Sequence, residues 1–245
     1  MFWKHAQSIK LIKQYLNEIE FKAAIVLTSS PFLLTVHRYY VKTAFFRKIF
    51  GQYFQDSPYS SIYPYYYWFL VSSITLMLFP IVLIKFGIRE KIKDYGFRFS
   101  GAKLGWSFVV IGFLVMLPIV MIASHLASFQ NKYPLCKLAA TNWAIFIPYQ
   151  LAFGIYILSW EFFFRGYMLF GLEERFGKYS ILIQMIPFTI LHHGKPFAES
   201  VGAILAGIFL GVIALETRSF IYGALLHWLV AVSMDASVIL LSRFL

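Results

Sequence analysis

Glu161, His192, His227 and Asp235 are ionisable side chains that stand inside largely apolar runs. Ionisable groups at membrane depth are costly, so they face the interior of a bundle and mark function. Arg165 follows Glu161 by one helical turn, which puts the two on one face, where each lowers the other's cost of burial. Alone, that pair reads equally well as a structural ion pair. With histidines arriving from two further runs, it reads as an assembled polar site. A carboxylate held in a low-dielectric pocket can serve as a general base at neutral pH. A histidine beside it can position or deprotonate a water, and a second can donate to the oxyanion formed when that water attacks a carbonyl. Two other chemistries use the same groups. Glu161, His192 and His227 are a possible zinc ligand set with an open fourth position, and such groups also pass protons in transporters.

The elements that must position these groups are membrane helices. The chain of 245 residues is 60% apolar and 20% aromatic, with 27 phenylalanines and only 13% charged residues. Soluble domains are usually about 45–50% apolar, so the expected fold is all-α, a polytopic helical bundle with six to eight transmembrane helices. Apolar runs occur at 21–40, 62–86, 104–128, 143–170, 179–194, 199–216 and 219–241. About 20 apolar residues cross the hydrocarbon, which makes 62–86, 104–128 and 219–241 secure. Pro31 interrupts the first run, and Pro148 leaves the long 143–170 run tilted, kinked or split. Tyr63, Tyr65, Tyr66, Tyr67 and Trp68 form an interfacial aromatic belt. Residues 1–20 carry Ile9, Ile12, Leu16 and Ile19 on one face and read as an interfacial amphipathic helix. The single membrane domain then covers 21–245.

The net charge of +11 is carried by short loops, which orient a membrane protein; nucleic acid is therefore not an expected partner. Lys85, Arg89, Lys91, Lys93, Arg98 and Lys103 place the 85–103 loop in the cytoplasm, together with the N-terminus. Cys136 is the only cysteine, so no internal disulfide and no cysteine-ligated metal site is available. Lysines and glutamates break the first twenty residues, leaving no cleavable signal peptide. No internal repeat supports a transporter.

Three segments in order resemble the CAAX-protease and bacteriocin-processing family of intramembrane peptidases. Ser159-Trp160-Glu161-Phe162-Phe163-Phe164-Arg165-Gly166-Tyr167 is similar to the Glu-Glu-x-x-x-Arg motif, usually followed by Gly. Phe188-Thr189-Ile190-Leu191-His192 fits Phe-x-x-x-His, and His227-Trp228-Leu229-Val230-Ala231 falls where His-x-x-x-Asn or Asp belongs. The resemblance covers about residues 140–240. It implies an endopeptidase of a bacterial cytoplasmic membrane, acting on membrane-protein or lipidated peptide substrates within the bilayer. It also implies catalytic roles for Glu161, His192 and His227 and a holding role for Arg165, with no metal required; zinc is the alternative. Two positions depart from the family. The first glutamate, the water activator, aligns with Trp160, and neighbours on a helix point about 100° apart. Ala231 replaces the Asn or Asp of the third motif, and Asp235, one turn further, is the candidate substitute. The Trp-Glu form with Gly194-Lys195-Pro196 after the histidine resembles a bacterial branch of the family. These departures also support a non-catalytic reading, a membrane protein that binds partners as an immunity or regulatory factor does. Lys195 and Glu199 are expected to be loop and interface residues, and His193 a bystander.

Overall fold

The computed structural model describes residues 20–244; the interfacial helix expected at 1–20 lies outside the described residues but for Glu20. Among the described residues the fold is all-helical, as membranes demand when backbone groups have no water to bond. Helix α1 runs Phe21–Val36 and continues through a wider π turn, His37–Val41. Helix α2 is Thr43–Phe54 and α3 is Tyr63–Ile88. Helix α4 is Ala102–Ser124, α5 Ala127–Lys132, α6 Trp143–Phe176, α7 Tyr179–Ile190, α8 Phe197–Thr217 and α9 Ile221–Phe244.

Five of these, α3, α4, α6, α8 and α9, are long and apolar enough to cross a membrane. They coincide with five of the seven expected runs. The remaining two runs also form helices, α1 and α7, but α7 has only 12 residues. At about 1.5 Å per residue it covers about 18 Å, short of the roughly 30 Å hydrocarbon layer. Its expected end at 194 is corrected to Ile190. Gly194 adopts φ +92° and Pro196 follows, so the chain turns out of the helix there. Consequently His192 and His193 sit in a turn after α7, not within a span. Pro148 leaves α6 unbroken, and that helix spans 34 residues.

Helix α6 is the axis of the bundle. Its Tyr149, Phe153 and Tyr156 rings pack on Phe69 of α3, and its other side receives α9, where Trp228 donates through Nε1 to the Gln150 carbonyl at 3.0 Å. Helices α7 and α8 pair closely, with Gln184 Nε2 donating to the Gly207 carbonyl at 2.8 Å. Helix ends are capped as polar termini require: Glu20 accepts from the amides of Lys22 and Ala23, and Asn142 from that of Ile145. Outside, Ile122, Leu205 and Phe197 are 72–84% exposed, apolar surface of the kind a bilayer covers.

Candidate active site

Glu161 ends the regular part of α6, and the next seven residues, Phe162–Met168, form a π turn. Such turns insert extra width into a helix and frequently mark functional positions. Here the wider turn resets which face Arg165, Gly166 and Tyr167 present relative to Glu161. Gly166 is needed for the fit: a Cβ there would stand 2.5 Å from the Phe162 ring and 3.1 Å from the Tyr95 carbonyl oxygen.

Glu161 and Arg165 are both fully buried. Arg165 Nη1 donates to Glu161 Oε1 at 3.0 Å and lies 3.0 Å from Oε2. The guanidinium carbon sits 4.0 Å from the centre of the Phe188 ring, so the aromatic face shares its charge. From α9, His227 Nδ1 meets the same Oε1 at 2.7 Å. A carboxylate oxygen only accepts, so that nitrogen carries the proton. Glu161 is therefore bound from two sides, by a guanidinium and by an imidazole N–H, while Oε2, Arg165 Nε and Arg165 Nη2 have no hydrogen-bond partner. Among the four, His227 is the most open, with 21% of its side chain exposed.

His192 comes from the turn after α7. Its Nδ1 donates to the Phe188 carbonyl, 2.7 Å away, one of the last-turn carbonyls that a helix end leaves free. In the neutral ring, Nε2 then holds a lone pair. The ring packs on Phe188 with centroids 4.6 Å apart and edge-on to Trp160 at 6.2 Å. Phe188 also lies edge-on to His227 at 6.3 Å, which completes a ring-to-ring path from His192 to the Glu161 partner. The chain thus brings Glu161, Arg165, His192 and His227 together from α6, the α7 turn and α9.

Asp235 is placed elsewhere. It is buried, but it accepts from Gln150 Nε2 at 2.6 Å and makes no hydrogen bond with Glu161, His192 or His227. The two turns between His227 and Asp235 span about 12 Å along α9. His193 is exposed, away from the site. Among the described residues, no three His, Cys, Asp or Glu side chains are grouped to hold a metal ion.

Residues 142–233 match the family model described as type II CAAX prenyl endopeptidase Rce1-like. Over that segment the chain is similar to the CAAX-protease family. No curated protein and no solved structure matches the chain. The matched segment contains Glu161, Arg165, His192 and His227, and it excludes Asp235.

One neighbour of the matched segment arises outside it. His37, from the π turn of α1, is completely buried, bonds Ser72 through Nε2 at 3.0 Å and lies edge-on to Trp160 at 6.0 Å. In the sequence His37 stands near the end of the 21–40 run, next to Arg38. An ionisable residue at the edge of an apolar stretch was the signal available for it. Trp160, where the family has its first glutamate, is buried among Tyr156, Phe164, Phe188, His37 and His192.

Proposed function

We propose that the protein is an intramembrane endopeptidase that hydrolyses peptide bonds of membrane-embedded or lipidated protein substrates with a Glu/His-activated water. The family match gives the general class. The observation that carries the finer reading is the Glu161 carboxylate, gripped by Arg165 and His227 through Oε1 while Oε2 accepts no hydrogen bond.

The steps follow from the donor and acceptor pattern. A water enters between the open Oε2 of Glu161 and the Nε2 lone pair of His192. His192 takes one proton as the water oxygen attacks the scissile carbonyl carbon. The carbonyl oxygen becomes an oxyanion and accepts from Nε2–H of His227, whose ring enters the step as an imidazolium that has taken its second proton from solvent. Glu161 stabilises that imidazolium as the carboxylate of a catalytic triad does, while Arg165 holds the carboxylate in place. Collapse of the tetrahedral intermediate breaks the C–N bond, and His192 returns its proton to the leaving amine. In this scheme the phenylalanine-rich wall of α6 excludes bulk water, which strengthens each of these interactions.

The scheme needs no metal. A zinc site on Glu161, His192 and His227 requires all three to turn lone pairs to one point. The Nδ1–H of His227 is instead aimed at the carboxylate, and a zinc ion on that carboxylate would stand against the Arg165 guanidinium, whose Nη1 lies 3.0 Å from Oε2. Metal content and activity after chelation separate the two: stoichiometric zinc whose removal abolishes cleavage refutes the metal-free scheme. We also place the N-terminus and the loop bearing Arg89, Lys91, Lys93 and Arg98 on the cytoplasmic side of a bacterial membrane.

A comparison of membrane-protein N-termini by peptide mapping tests the activity. Cells express wild type or a Glu161→Gln/His192→Ala variant at matched abundance. New termini present only with wild type are expected, and they name the substrates. Identical maps, with both versions rescuing a phenotype, refute proteolysis. That outcome selects the second reading, a partner-binding or immunity factor, which the burial of Trp160 in place of the first glutamate favours.

A further inference from the structure

Close to His192 in the chain and linked to it by rings are three half-buried lysines, of which Lys195 alone pairs with a carboxylate, Glu199. Lys195, three residues after His192, donates to Glu199 Oε1 at 2.7 Å and to the Tyr133 hydroxyl at 3.0 Å. Lys132, at the end of α5, donates to the Gly194 carbonyl at 2.8 Å. Lys42 immediately precedes α2, sits 4.6 Å from the centre of the Trp68 ring, and has no carboxylate partner among the described residues. Rings connect this cluster to the site: Trp68 to Tyr156 at 5.2 Å, Tyr156 to Trp160 at 5.7 Å, Trp160 to His192 at 6.2 Å.

The charge is unbalanced: among the described residues Glu199 is the one carboxylate ion-paired within this group of three ammoniums, with Arg38 nearby and Asp235 in the field of Lys195. Lys42 registers that imbalance. Burial, then the positive fields of Lys195, Arg38 and Lys132, lower it from its ordinary value to about 8. The groups around it are thus Arg38 and His37 from the preceding turn, Lys132 and Tyr133 from the α5 end, and Lys195 and Glu199 from the α7–α8 turn and α8.

The position also specifies which anion is at hand. Helix α2 is too short to span, yet Ile49 and Tyr53 are 43% and 73% exposed while Arg47 and Lys48 face out beside them. Its inner face, Phe46, packs on Tyr67 of α3. A short helix that exposes both apolar and basic groups, set between α1 and the span α3, lies in the headgroup layer. We propose that Lys42, Lys132 and Lys195 form a binding site for the phosphate of an anionic phospholipid, which ties the turn carrying His192 to the start of α2. The proposal does not depend on hydrolysis.

The test reads Lys42 directly. The full chain is placed in nanodiscs of phosphatidylcholine, with or without phosphatidylglycerol, and pulsed with trace acetic anhydride across pH. Mass spectrometry follows Lys42 against Lys48, an exposed lysine within α2 that serves as the reference for the general surface potential. A bound phosphate favours the charged amine and raises its titration midpoint. A rise of one unit from about 8 leaves roughly a tenth of the amine neutral at pH 8, about fivefold less labelling. That loss is expected for Lys42 in excess of Lys48, and it is expected to disappear in Lys132→Gln and in Lys195→Gln. Equal shifts of Lys42 and Lys48 overturn the proposal. Protection in phosphatidylcholine discs by a peptide with a free terminal carboxylate, and none from phosphatidylglycerol, also overturns it and assigns the cluster to a substrate end. All readings are made without an activity assay, so they stand apart from the outcome of the N-terminal mapping.

Discussion

Replacing Arg165 by Met removes the charge that holds Glu161 while keeping most of the volume and the alkyl stem. Both partners of this pair are fully buried, and breaking a buried pair by removing one member costs about 3–5 kcal/mol, because the survivor is left uncompensated. His227 still donates to Glu161 Oε1, so the lower figure, about 3 kcal/mol, is expected; it corresponds to roughly a hundredfold shift in the unfolding equilibrium. Glu161→Gln is expected to cost at least as much, because Arg165 then keeps a buried guanidinium in which Nε and Nη2 already lack partners. The double change Glu161→Gln/Arg165→Met removes both charges and those orphaned donors together, so it is expected to cost far less than the sum of the single changes. The assay is reversible unfolding in mixed micelles by increasing denaturing detergent, read by tryptophan fluorescence, with all four proteins compared in one lipid–detergent mixture. Single changes that each cost under about 1 kcal/mol, or a double change that costs their sum, refute the reasoning that this pair is one electrostatic unit.

Gly166→Ala is expected to destabilise by about 1–3 kcal/mol, because the added methyl meets the Phe162 ring at 2.5 Å; wild-type stability in the same unfolding assay sinks the close-approach argument. Asp235→Asn keeps an oxygen for Gln150 and lies outside the Glu161 cluster, so cleavage is expected to stay within about twofold of wild type with a stability loss near 1 kcal/mol. A tenfold loss of cleavage at equal abundance instead ties Asp235 to the chemistry. Burial raises the Cys136 thiol above its ordinary value and keeps it protonated at neutral pH. The reactive thiolate becomes more populated as pH rises, so maleimide labelling of folded protein is expected to be at least about tenfold slower than that of a free thiol at pH 7. It should recover on unfolding; equal rates in the folded state contradict a buried thiol.

Much of the scaffold was legible because lipid leaves few choices: an apolar run in a membrane is a helix, and the runs at 62–86, 104–128, 199–216 and 219–241 all form one. The boundary at 179–194 was not legible from hydropathy, since Leu191, His192 and His193 continue the run while Gly194 and Pro196 decide where it stops. The candidate residues Glu161, Arg165, His192 and His227 were legible as ions out of place; the structure bonds Glu161 to Arg165 and His227, and His192 reaches them across the Phe188 ring. Their bonding was not. That His227 meets Glu161 directly, at 2.7 Å, depends on the rotation of α9 against α6, which no spacing within either helix specifies. Asp235 looked equivalent by charge and depth, but two turns of α9 carry it to Gln150 instead. His37 escaped notice because its relation to Trp160 is a contact between α1 and α6, more than a hundred residues apart in sequence.

The exchange of a glutamate for Trp160 has a physical counterpart in the same helix. A second carboxylate adjacent to Glu161 would require its own compensation in a bilayer, and Arg165 supplies only one engaged nitrogen, Nη1. The indole removes that requirement and fills the space with a ring that touches His37, Phe164, Phe188 and His192 at once. The remaining carboxylate then has a cation on one side and an imidazole N–H on the other, an arrangement that suits stabilising an imidazolium more than it suits abstracting a proton. On this chemistry the base is His192, whose Nδ1 is committed to the Phe188 carbonyl and whose Nε2 is free. The proposed hydrolysis is therefore divided between two histidines held by different means, one by a carboxylate and one by a helix end, with Trp160 packed against the second.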